Sequence, residues 1–151
     1  MWTCPDCGRA FANRNQTHTC APLRDLAWHL DGKPPEIASI VHRAIACARE
    51  CGEVTVLPEK TRIALAARMS FAALMPRKRW VDGHVVLARR LDDPRFTKIE
   101  TYSPRNHLHA FRLVSVDDVD ERFREWMREA YDVGAQRHLR RTTAQVKGAR
   151  E

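Results

Sequence analysis

The feature that most narrows what this chain can fold into is a change of hydrophobic period, made twice along one stretch. From Glu36 to Cys51, Ile37, Ile40, Val41, Ala44, Ile45 and Ala48 recur at helical spacing and form one buried stripe, and Gly52 is a natural stop. The texture then turns to strands. Val54 to Leu57 is a short one closed by Pro58. Ile63, Leu65, Ala67, Met69, Phe71 and Ala73 next alternate with Arg62, Arg68 and Ser70, the period of a sheet covered on one side. The abundance of alanine leaves a helix as the competing assignment for 62–68. Val81-Asp82-Gly83 reads as a turn leading into a strand from His84 to Leu91, which Asp92-Asp93-Pro94 breaks. Phe96 to Tyr102 and Leu108 to Val114 are two more strands, joined through Ser103–Asn106. Ser115 and Asp118 have capping-box spacing, and Val119, Phe123, Trp126, Met127, Ala130 and Tyr131 form the stripe of a last helix ending at Gly134. Two amphipathic helices bracketing a run of strands predict an α+β domain, with an antiparallel sheet and both helices packed on one face.

A different chemistry precedes this domain. Cys4 and Cys7 stand three apart, and after ten more residues His18 and Cys20 follow. Two thiolates at that spacing grip one tetrahedral ion from a tight turn, for which Pro5 and Gly8 are suited. The intervening chain returns His18 and Cys20, whose single-residue separation works if that segment is extended. Trp2 and Phe11 supply the little apolar filling available. So short a unit cannot fold on buried area alone, and zinc binding of about 10–16 kcal/mol in finger peptides is enough to fold it. The expectation is a zinc finger with ligands Cys4, Cys7, His18 and Cys20, closed to water and structural. His29 is a substitute fourth ligand ranked below Cys20. A redox pair at Cys4 and Cys7 is the rival, but it lacks a surrounding βαβ pattern and leaves His18 and Cys20 unexplained.

The chain of 151 residues divides into a leader (1–21), a connector with one short helix (22–33), the α+β domain (34–135) and a basic tail (136–151) expected to be disordered. Pro34-Pro35 marks the domain boundary. Five cysteines and no apolar leader after Met1 argue against a secreted disulfide scaffold, and no run is long and apolar enough to span a membrane, so the expected setting is cytoplasmic. The net charge of +7 favours acidic partners, nucleic acid first among them.

Three constellations bear on function. Lys60, Arg62, Arg77, Lys78, Arg79 and Trp80 form a basic set able to neutralise phosphates, with Trp80 to stack on a base; the bland alternative is an ordinary solvated turn. His107 and His109 put two imidazoles on one side of a strand, able to hold a metal or act as a base, against the plainer role of hydrogen-bonded sheet histidines. Cys47 and Cys51 lie one helical turn apart, where small apolar packing outweighs metal binding. No phosphate loop, nucleophile elbow or paired carboxylates stand in a recognisable context. The leading expectation is therefore a binding or adaptor module for nucleic acid. One alternative is a small-molecule binder or enzyme using the open sheet face through Arg62 and His109. The other is a protein-interaction module marked by Trp28 or Trp80.

Gly32–Pro35, Lys60–Ile63, Arg77–Trp80, His109–Leu113 and Ala130–Gly134 together resemble the bacterial domain-of-unknown-function family 5655, over roughly residues 30 to 135. The resemblance implies the fold and its boundaries and no catalytic residues. Trp2–Arg9 with Asn15–Cys20 resembles the zinc-binding leader of some small bacterial proteins. Since relatives of the domain often lack it, the leader is implied to be an accessory.

Overall fold

The computed structural model describes residues 1–6, 8–16 and 24–137. Its centre is a six-stranded antiparallel sheet in the order β3-β4-β5-β6-β8-β7, from β3 (Thr55–Pro58), β4 (Ile63–Ala66), β5 (Ser70–Pro76), β6 (Val81–Leu87), β7 (Phe96–Ser103) and β8 (Asn106–Leu113). The chain meanders through four strands, steps over one position to the far edge, and returns in a hairpin between β6 and β7.

Helices α2 (Pro35–Arg49) and α3 (Glu121–Gly134) contact each other and the middle strands. Pro35 opens α2, where its missing N–H costs nothing, and Asp120 caps α3 by accepting from the Phe123 N–H at 3.0 Å. Their stripes meet Ile63, Leu65, Leu74, Val85, Phe111 and Leu113 in one core. Cross-strand partners share a face, so the alternate residues Ala64, Ala73, His84 and Ala110 line the other side. A short α1 (Leu26–Leu30) and a two-stranded hairpin, β1 (Trp2–Thr3) with β2 (Ala10–Phe11), complete the described elements. Among the described residues no helix is long and apolar enough to cross a membrane. The expected basic tail falls almost wholly on 138–151, outside the described residues.

Three local readings are corrected. The run from Ile63 to Ala73 is a hairpin, not one strand. Ala67 N–H bonds Met69 O at 3.1 Å, and the turn is pinned by Met69 N–H to Gly134 O at 2.9 Å. A register shift between Leu65 and Ala66 puts Phe71 in the core and Ala73 on the opposite face. Val81-Asp82-Gly83 is strand, and the turn lies earlier, where Arg77 N–H bonds Trp80 O at 2.8 Å. Gly83 is there because the Phe111 ring crosses it, since a Cβ would stand 2.8 Å from that ring and 2.7 Å from Ala73 O. The capping box at Ser115 and Asp118 does form, but it closes a 3-10 turn (Val116–Asp118) ahead of α3.

Candidate functional site

Strand pairing brings the basic set together. Pro58–Ile63 and Pro76–Val81 are the closing pairs of two neighbouring hairpins, and Ile63 pairs with Leu74, so both turns leave the sheet at the same end. Lys60, Arg62, Arg77, Lys78, Arg79 and Trp80 therefore meet there, joined by Arg112 from β8 and Arg9 from the leader. Two carboxylates organise them. Glu59 takes Arg62 at 2.8 Å and Arg9 at 3.7 Å. Asp82 accepts from Arg112 at 3.0 Å and from Arg77 and the Trp80 indole N–H at 3.2 Å each. Burial alone would raise the Asp82 carboxyl, but those three bonds hold it below the usual carboxylate range. The Arg112 guanidinium lies 4.2 Å from the Trp80 ring centroid, so that ring positions a cation in place of standing free for a base. Lys60, Lys78 and Arg79 are exposed and have no ionic partner among the described residues.

His109 does not belong to this site. It is fully buried on the helix-covered face, opposite Val85, whereas Arg62 shares the parity of Ala64 on the face away from the helices. Its Nε2 accepts from the Leu91 N–H at 2.9 Å, which leaves Nδ1–H to donate to His107 O at 2.9 Å. Burial holds its pKa below the ordinary histidine value. The reading that pairs Arg62 with His109 on one ligand is thus corrected: the sheet lies between them. His107 is equally engaged, by the Thr101 hydroxyl at 2.9 Å and Pro104 O at 3.1 Å. Cys47 and Cys51 sit by a cleft between α2 and α3, and burial raises both thiols, Cys47 to about 11, so both are protonated at neutral pH.

The histidine on the face away from the helices, here called the open face, is His84. It occupies a row that crosses the sheet from Leu57 through Ala64, Ala73 and His84 to Ala110 and Lys98. Burial and then the nearby Arg62 charge depress its pKa to about 4, so it is neutral at ordinary pH. No side-chain hydrogen bond ties it within the described residues. Only its parity with Asp82 along a correctly placed strand would have singled it out.

Of the four expected zinc ligands, Cys7, His18 and Cys20 lie outside the described residues. The backbone turns after Cys4, at Pro5 and Asp6. Cys4 is 3% exposed, its N–H bonds Arg9 O and the Gly8 N–H bonds Cys4 O, both at 2.8 Å. Gly8 has φ +74°, a conformation that favours glycine. Trp2 packs on Phe11, with ring centroids 5.9 Å apart. The leader rests on the sheet through Arg9–Glu59 and through Asn13 on the Met69 sulfur at 3.6 Å. His29, ranked below Cys20 as a substitute ligand, is buried, with Nε2 at 2.6 Å from Glu59 O.

Comparison with known proteins gives one positive finding. The model of a family described as a domain of unknown function (DUF5655) matches residues 28–134. No curated protein matches, and neither does any solved structure.

Proposed function

This chain belongs to the DUF5655 family of domains of unknown function, and from that premise we propose that it is a nucleic-acid-binding module whose leader, lying before the matched span, holds a zinc ion. The observation that carries the reading is the convergence of two hairpin turns on one end of the sheet. Seven cations (Arg9, Lys60, Arg62, Arg77, Lys78, Arg79 and Arg112) face two carboxylates there. The paired arginines are held in place, while Lys60, Lys78 and Arg79 project into solvent, where a phosphate backbone would meet them. Such contacts bind without regard to sequence and release counterions.

Zinc on Cys4, Cys7, His18 and Cys20 would have no open position, so it supplies folding energy to the leader and not a reactive water. Through Arg9 it would also fix one member of the basic set. Metal analysis of the purified chain tests this: one zinc per chain is expected, lost in Cys4→Ser and in Cys20→Ser.

The nucleic-acid reading is tested by fluorescence anisotropy with single- and double-stranded oligonucleotides over rising salt. Binding in dilute buffer should weaken steeply with salt. The Lys60→Ala/Lys78→Ala/Arg79→Ala variant should bind at least tenfold more weakly, with a salt slope lower by roughly three. No binding at low salt rules the reading out.

A further inference from the structure

β7 is an edge strand of eight residues, paired among the described residues with β8 on one side only. Lys98 and Glu100 flank Ile99 and project to the open face, bridged to each other at 2.5 Å, while Thr97, Thr101 and Tyr102 are also exposed. Register shifts at Phe96/Lys98 and at Thr101/Ser103 confine the regular part of the strand to Lys98–Thr101. We propose that β7 pairs antiparallel with β7 of a second copy of this chain, about a two-fold axis through Ile99, joining two six-stranded sheets into one.

The charges select that register. With the axis at Ile99, Lys98 of each copy stands opposite Glu100 of the other, and Ile99 meets itself. Moving the axis by one residue, onto Lys98 or Glu100, sets like charges directly opposite, which is destabilising. An axis between residues would lay the helix-face Ile99 against a charged open-face residue and turn the helices of the second copy to the other side of the sheet. A lysine on an edge strand deters pairing with arbitrary strands. Here the same lysine is complemented by its own sequence two residues on, so a second copy is the partner that removes the conflict. The backbone groups of the edge supply the attraction and the two ion pairs the specificity. The opposite edge, β3, does not compete. It has four residues, and the Arg24 N–H already bonds Pro58 O at 2.7 Å.

Sedimentation velocity of the full chain over a wide concentration range tests the proposal, with circular dichroism to confirm that each variant is folded. The wild type should form a reversible dimer. Lys98→Glu alone and Glu100→Lys alone should each weaken it by roughly tenfold or more. The Lys98→Glu/Glu100→Lys double variant should dimerise again, and the two single variants mixed should form the heterodimer. A wild type that stays monomeric overturns the proposal and leaves the edge to an extended peptide. A dimer indifferent to both single variants, or one the double variant fails to restore, overturns it in favour of another surface.

Discussion

The two faces of the sheet hold the same residue type under different conditions. On the helix-covered face both nitrogens of His109 are bonded, to Leu91 N–H and His107 O, and Phe96 packs on the ring at a centroid distance of 4.8 Å. On the open face His84 is partly buried among Ala73, Ala110 and Arg62, without a side-chain hydrogen bond among the described residues. Both are kept neutral by burial. The first is a tie that fastens the segment after β6 to the core, and the second is a polar group left for whatever lies on the face. A histidine's role here is set by which nitrogens are spent, and exposure alone would rank the two poorly.

The largest expected effect breaks that comparison if it is wrong. His109→Ala removes two buried hydrogen bonds and leaves a cavity, and should cost about 2–4 kcal/mol. His84→Ala should cost no more than about 1 kcal/mol. Urea unfolding of both measures the difference, and equal losses would mean that His84 too is a structural tie.

Gly83→Ala comes next. Its methyl would meet the Phe111 ring and the Ala73 carbonyl, both under 3 Å, in the packed row next to the histidines. Overpacking of this kind costs roughly 1–3 kcal/mol. A thermal melt showing no loss would mean that the two strands part easily there.

A smaller effect sharpens the comparison through pH. The His84 pKa is depressed to about 4 in the folded chain from an ordinary 6.5. Between those values the unfolded chain binds more protons, so stability is intact above about pH 6.5 and falls as pH is lowered through the window. The expected loss is about 2 kcal/mol by pH 5. His109 contributes a slope of the same sign, since its pKa is also lowered. His84→Gln should therefore flatten part of the dependence and leave the remainder, measured as unfolding midpoints against pH.

How much of this was legible without coordinates follows from what each element depends on. The two helical stripes are local, and α2 and α3 fall where their apolar spacing puts them. The run from Ile63 to Ala73 misled because the bulge at Leu65/Ala66 resets parity inside an apparently continuous alternation. Asp82-Gly83 imitated a turn because its glycine answers to Phe111, a residue far along the chain. The gathering of Lys60 with Arg79 needs the strand order, which no local pattern contains. The side taken by His109 was readable after all: it shares parity with Phe111 and Leu113, and the apolar members of a strand show which way its polar members point.

The smallest expected effect on stability concerns the charges at the basic end. Arg77 and Arg112 are spent on Asp82, and Arg112 also lies on Trp80, so removing either disturbs a network. Lys60, Lys78 and Arg79 have no such partner among the described residues, and replacing all three with alanine should change stability by no more than about 0.5 kcal/mol. A gain would be the more informative deviation, because like charges crowded at one sheet end repel when nothing is bound. A stabilised triple variant with weakened oligonucleotide binding would show that the cations are kept together against folding, for the sake of a ligand. A destabilised one would place them in the fold's own ion pairs and take away the reason for reading that end as a binding surface.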